Sequence, residues 1–170
     1  MTSRAILLTL ASVMGISGTS QAEPIVIDKA ATHLQVTDRN RNQPKPKLTL
    51  HTTMATWCVA CKAELPQLSY LRSVFKPEEL GMFGLPYDEK EGSALLKAWA
   101  TTNHPPYELL ADLTKDDISS VKSMVLTTFK IDAVPAAFVT DSDGRILRAK
   151  LGPPSVSELR ELLRSQRERR

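Results

Sequence analysis

The stretch Trp57-Cys58-Val59-Ala60-Cys61-Lys62-Ala63-Glu64-Leu65-Pro66 holds both cysteines of a 170-residue chain, with two residues between them. A threonine-rich, β-leaning run over residues 48–53 leads into it. Beyond it, Leu65, Leu68, Leu71, Val74 and Phe75 recur at steps of three and four, the period of a helix with one apolar face. Pro66 interrupts that helix and predicts a kink, and Lys76-Pro77 closes it. The pair therefore lies at a strand-to-helix junction, with Cys58 at the helix N-terminus. Unpaired backbone N–H groups and the helix dipole favour negative charge there. A thiol so placed ionises more readily, and the thiolate is the nucleophile. Cys61, one turn on, is close enough to attack a mixed disulfide at Cys58, which allows two-step thiol–disulfide exchange. Trp57 is expected as a surface platform beside the pair.

Other uses of a cysteine pair fit less well. Zinc needs four ligands, but no third cysteine exists and His33, His51 and His104 are scattered. Haem attachment needs histidine directly after the second cysteine, where Lys62 stands. A disulfide closing so small a loop constrains little chain entropy, so a purely structural bridge has little to do. Soft thiolates suit Cu(I), so copper handling by Cys58, Cys61 and a histidine stays open as a non-enzymatic alternative. The exchange reading expects neither a metal nor an organic cofactor.

Towards the N-terminus, residues 1–22 read as a secretory signal peptide. Arg4 supplies the positive charge, residues 5–16 the apolar run, and Ser20-Gln21-Ala22 a small-x-small cleavage site. The run is short for a membrane span, which takes about 20 apolar residues; an uncleaved anchor is the alternative. Export would place the pair in an oxidising compartment, and the protein is expected to be periplasmic or secreted. Residues 23–47 form an extension with two short strand candidates, around Ile25-Val26-Ile27 and His33-Leu34-Gln35-Val36, then a basic loop carrying Pro44 and Pro46.

Towards the C-terminus, strand and helix patterns alternate. Residues 81–87 read as a buried strand. Ser93 is a cap for a helix through Leu95, Leu96 and Trp99. His104-Pro105-Pro106-Tyr107 forces a turn before a short strand at Leu109-Leu110. Asp116 or Asp117 caps a helix through Val121, Val125 and Phe129. Residues 136–140 and 145–151 read as strands joined by the turn Asp141-Ser142-Asp143-Gly144. Ser157 caps a last amphipathic helix with Leu159, Leu162 and Leu163, and residues 165–170 read as a charged tail. This order predicts an α/β domain over residues 48–164, a central mixed sheet with helices on both faces.

Composition agrees. A chain 42% hydrophobic and 24% charged is not disordered, and its length suits one domain. Two cysteines cannot make a disulfide scaffold. The formal charge of +3 falls to +2 without Arg4, 21 basic residues against 19 acidic, and gives no reason to expect nucleic acid.

The quoted stretch resembles the W-C-x-x-C-x-x-E-x-P signature of TlpA/ResA-like thioredoxin-fold thiol-disulfide oxidoreductases. Phe129-Lys130-Ile131-Asp132-Ala133-Val134-Pro135-Ala136-Ala137-Phe138 is similar to that family's segment through its cis-proline, and residues 141–147 to the hairpin that follows. The resemblance implies a thioredoxin-like fold, with Cys58 as exposed nucleophile and Cys61 as resolving cysteine. It implies that the Val134–Pro135 bond is cis and that its backbone pairs with substrate; without it, Pro135 reads as a trans proline at a strand start. Glu64 matches the family's glutamate, which would tune or relay protons; a solvated helix carboxylate is the alternative. Clients would be exported proteins bearing disulfides or thiols, such as apocytochrome c. The electron donor would be a membrane thiol-transfer protein of the DsbD/CcdA kind. Reduction is the expected direction, with disulfide oxidation or isomerisation as the alternative.

Several positions depart from the pattern. Thr52 stands where thioredoxins carry a buried acid. His51 is its neighbour, but adjacent strand residues face opposite ways, so a structural histidine is expected. Ala133 and Ala137 replace a frequent glycine and threonine, and Gly84-Leu85-Pro86-Tyr87-Asp88 predicts a differently shaped loop. Trp99 is expected in the core and Lys62 in solvent.

Overall fold

The computed structural model describes residues 25–28, 30–36 and 45–168; residues 1–22, expected as a signal peptide, most of the basic loop and the last two arginines lie outside the described residues. The elements are β1 (Ile25–Ile27), β2 (Leu34–Val36), β3 (Leu48–Met54), α1 (Val59–Ala63), α2 (Leu65–Val74), β4 (Leu80–Pro86), α3 (Ser93–Asn103), β5 (Glu108–Leu109), α4 (Lys115–Phe129), β6 (Ala136–Asp141), β7 (Ile146–Leu151) and α5 (Val156–Glu168).

Five strands form one sheet in the order β5-β4-β3-β6-β7. β3, β4 and β5 run parallel, while β6 is antiparallel to both β3 and β7. Parallel neighbours need a crossover, which the helical segments supply, and the antiparallel pair needs only the turn at Gly144. β6 is buried along its whole length and serves both faces by alternation: Ala137 and Val139 join one cluster with Leu50, Leu68, Leu71 and Leu159, and Ala136 and Phe138 join the other with Leu85, Val121 and Val125. The expected mixed sheet with helices on both faces is thus the architecture of the domain.

The β1–β2 hairpin is an antiparallel pair outside this sheet. It docks on the β6–β7 turn: Leu34 N–H donates to Gly144 O at 2.8 Å, and Ile146 N–H donates to Thr32 O at 2.8 Å. Fully buried Leu34 seats it on the second cluster.

Local expectations needed correction at the helix starts. Ser93 is not a cap. Gly92 holds the extended N-cap conformation, Ser93 is the first helical residue, and its hydroxyl donates to Asp112 instead. The cap of α4 is Thr114, not Asp116 or Asp117; Asp117 completes a reciprocal capping box with it. At α5 it is Ser155 rather than Ser157 that exchanges hydrogen bonds with Glu158. At α3 and α4 the residue outside the helix adopts extended backbone, a choice made by the incoming chain. Pro66 does not bend a continuous helix. It occupies the first turn of α2, where no N–H partner is lost, and the break falls at Glu64. α5 continues through the expected start of the tail to Glu168.

Gly84 is a forced choice, because a Cβ there would run into the buried ring of Tyr107.

Candidate redox-active site

β3 ends beneath the cysteine pair. The chain turns there, with Cys58 N–H donating to Ala55 O at 3.1 Å. Cys58 is the N-cap of α1, in extended conformation, and its Sγ accepts the Cys61 N–H at 3.1 Å. The two cysteines form a disulfide with their Cα atoms 5.3 Å apart. An N–H aimed at Sγ is what a thiolate at this position would use. One expectation is corrected: Cys58 is only 4% exposed, no more than Cys61. The Val134 carbonyl oxygen lies 3.8 Å from its sulfur, and the tertiary approach of that segment covers it.

The opposite wall is the start of β6. The Val134–Pro135 peptide bond is cis. Pro135 O accepts the Gly152 N–H at 3.3 Å, and the next N–H, of Ala136, donates to the buried Thr53 Oγ1 at 2.8 Å. The proline is thus tied to the end of β3 and to the turn after β7.

Trp57 is 60% exposed, as a platform requires, and its indole N–H donates to Asp88 Oδ2 at 2.9 Å. The N–H groups of Lys90 and Trp57 hold the Asp88 carboxyl below its ordinary range. Glu64 lies at the junction of α1 and α2, half-buried. Burial raises its pKa from 4.5 to about 7. Half-buried, it is not a fully solvated helix carboxylate. Tyr107 is pushed well above the ordinary phenol range, first by burial and then by the charge of Glu64.

His51 is a core residue. Its Nε2 is 3.2 Å from Thr140 Oγ1, its ring stacks on Phe83, and burial lowers its pKa from 6.5 to about 3. Thr52 is buried at the position of the missing acid. Trp99 packs in the first cluster, Lys62 is exposed, and His104 ends α3 in a left-handed conformation. Among the described residues no three His, Cys, Asp or Glu side chains converge as a metal site, so no histidine is grouped with the cysteine pair there.

Sequence reasoning missed Thr53, Gly152, Asp88 and Glu91. Glu91 is 7% exposed, and its Oε1 accepts both the N–H and the hydroxyl of Thr56. Its only trace in the sequence is the charged run Asp88-Glu89-Lys90-Glu91, which reads as a solvated loop.

A five-stranded mixed sheet with a Cys-x-x-Cys disulfide at a helix N-terminus and a proline segment across from it defines a thioredoxin-like protein. The AhpC/TSA family matches residues 25–149, and the chain belongs to that family. It is 30% identical over 120 residues to the thiol:disulfide interchange protein DsbE homolog of Paracoccus denitrificans (strain Pd 1222), a match covering 71% of this chain. The chain spans 58% of that relative's length. Among solved structures it resembles a thiol:disulfide interchange protein from Bacteroides sp., with a TM-score of 0.55 and 20% identity over 71% of this chain and 73% of the other. A thiol:disulfide interchange protein of the thioredoxin family from Chlorobium tepidum TLS gives a TM-score of 0.52 and 21% identity over 72% and 81%. The expected kinship with TlpA/ResA-like thioredoxin-fold proteins holds at the level of family and fold.

Proposed function

We propose that the protein is an exported thiol–disulfide oxidoreductase that reduces disulfides of client proteins through Cys58 and Cys61. The observation carrying this reading is the Cys61 N–H aimed at Cys58 Sγ, at the helix N-terminus, in a chain with no other cysteine. The name of the Paracoccus relative supports the same chemistry.

In the reduced protein, the Cys58 thiolate attacks one sulfur of a client disulfide. A Cys58–client mixed disulfide forms and the first client thiolate leaves. Cys61 then gives up its proton and attacks Cys58 Sγ, which expels the second client thiolate and forms the Cys58–Cys61 bond. Two electrons pass from the dithiol to the client, and its two thiolates each take a proton. Glu64, poised near neutrality, suits the proton movement at Cys61. The Val134–Pro135 backbone offers a segment against which a client strand pairs, beside exposed Trp57.

The signal over residues 1–22 supports delivery to the periplasm or exterior, with an uncleaved anchor as the other outcome. No helix of the described residues is long and apolar enough to cross a membrane. Clients are exported proteins, apocytochrome c with its cysteines oxidised to a disulfide among them, and a membrane protein of the DsbD/CcdA kind returns the electrons.

The test combines trapping with a potential. Cys61→Ser should accumulate clients as mixed disulfides, and Cys58→Ser should abolish exchange. The Cys58–Cys61 potential should lie well below about −120 mV, the value of a strong disulfide oxidant. A potential near that value would reverse the direction, and exchange surviving in Cys58→Ser would overturn the mechanism.

A further inference from the structure

The loop over residues 87–92, between β4 and α3, touches both walls of the site. On the cysteine side, Glu91 Oε1 accepts the Thr56 N–H at 2.8 Å and the Thr56 hydroxyl. Glu91 Oε2 is buried without a partner among the described residues. On the proline side, Tyr87, itself 5% exposed, donates its hydroxyl to Asp132 Oδ1, two residues before Val134. Lys122 Nζ lies 3.7 Å from Asp132 Oδ2 and 5.7 Å from the Tyr87 ring centroid. The loop is itself anchored, because Tyr87 N–H donates to Met54 O at 2.9 Å.

These contacts have a chemical consequence. Thr56 is two residues before Cys58, inside the turn that sets where Sγ meets the Cys61 N–H. Hydrogen bonds to a carboxylate are about twice as strong as neutral ones. A carboxylate taken into a buried position with one oxygen unpaired is costly, and a surface loop that needed only to be folded would not carry it. Displacing a reacting group by about 1 Å can cost about 100-fold in rate.

We propose that Glu91 and Tyr87 are positioning residues for thiol–disulfide exchange. Glu91 sets the turn that presents Cys58, and Tyr87 sets the segment that presents Val134 and Pro135. One loop thereby holds nucleophile and docking backbone in register. The proposal rests on the reading of Cys58–Cys61 as a redox pair.

The test uses the full chain with insulin as a protein disulfide, alongside titration of the Cys58 thiolate by its ultraviolet absorbance. Glu91→Ala should lower kcat/KM about tenfold and raise the pH midpoint of thiolate formation. Glu91→Gln, which keeps the acceptor and removes the charge, should restore most of both. Thr56→Val, which removes one of the two donors and carries the test if Glu91→Ala does not fold, should lose about threefold. Tyr87→Phe should raise KM several-fold with kcat little changed and the thiolate midpoint unmoved. If Glu91→Ala and Glu91→Gln both lower the midpoint alike, Glu91 acts as a charge and positioning is wrong. Variants indistinguishable from an active wild type would overturn the positioning alone. A wild type unable to reduce insulin or a small aromatic disulfide would overturn the redox reading, and the proposal with it.

Discussion

Gly152 and Glu64 meet where the turn after β7 approaches the junction of α1 and α2: a Cβ built on Gly152 would stand 3.3 Å from Glu64 Oε1. Gly152 has φ +77°, a conformation that side chains oppose, and its N–H reaches Pro135 O. A small residue here therefore serves three ends at once. It makes the turn, leaves room for the carboxyl and ties down the proline.

Gly152→Ala should lower stability by about 1–2 kcal/mol, from the left-handed backbone together with the close contact. Denaturant unfolding of the oxidised protein measures it. A change within experimental error would mean that the turn relaxes without cost.

Glu64 should make stability fall as pH rises. Its folded pKa is raised to about 7 from 4.5 by burial, so the folded protein holds a proton that the unfolded chain has released. Stability is then lost between about pH 4.5 and 7 and levels off above. Glu64→Gln should match wild type at pH 4 and exceed it at pH 8 by on the order of 1 kcal/mol, allowing for the solvent that reaches a half-buried group. Urea unfolding at the two pH values decides it.

His51 should act in the opposite direction over an overlapping range. Burial lowers its pKa from 6.5 to about 3, so the unfolded chain takes up a proton that the folded protein refuses. Its contribution is present above pH 6.5 and lost as pH falls, by about 2–3 kcal/mol between pH 6.5 and 4.5. His51→Phe should flatten that acid limb, visible in melting temperatures collected across the range.

Thr53→Val should cost about 1–3 kcal/mol although it is nearly isosteric, because the buried Ala136 N–H loses its acceptor. Thr53→Ser, which keeps the oxygen, should cost less. Equal losses in the two variants would show that packing, not the hydrogen bond, matters at this position.

Much of this protein was legible before its structure. Cys58 and Cys61 are three residues apart, so their meeting needs only one helical turn. The sheet could be read because β3 is a short β-leaning run and β4 and β6 are short, mostly apolar runs, separated by helices of clear period. The helix caps were misplaced by one to three residues. Gly92, Thr114 and Ser155 compete with Ser93, Asp116 and Ser157 for one role, and the approach of the chain selects among them.

Glu64 shows the limit most plainly. Its place in the motif is visible in the sequence, but its pKa depends on burial, which the turn at Gly152 helps to supply from the far end of the domain. Glu91 and Thr56 are 35 residues apart, and Thr53 and Ala136 are 83 apart. No local pattern marks such pairs, because any Glu in a charged loop and any Thr in a strand look alike until the sheet brings them together. That Cys58 and Cys61 meet as a pair is a property of one turn of chain and was determined by the sequence alone. The cover over Cys58, the protonation of Glu64 and the hold on the proline segment were decided by tertiary structure, since each depends on groups that only folding brings within a few ångströms.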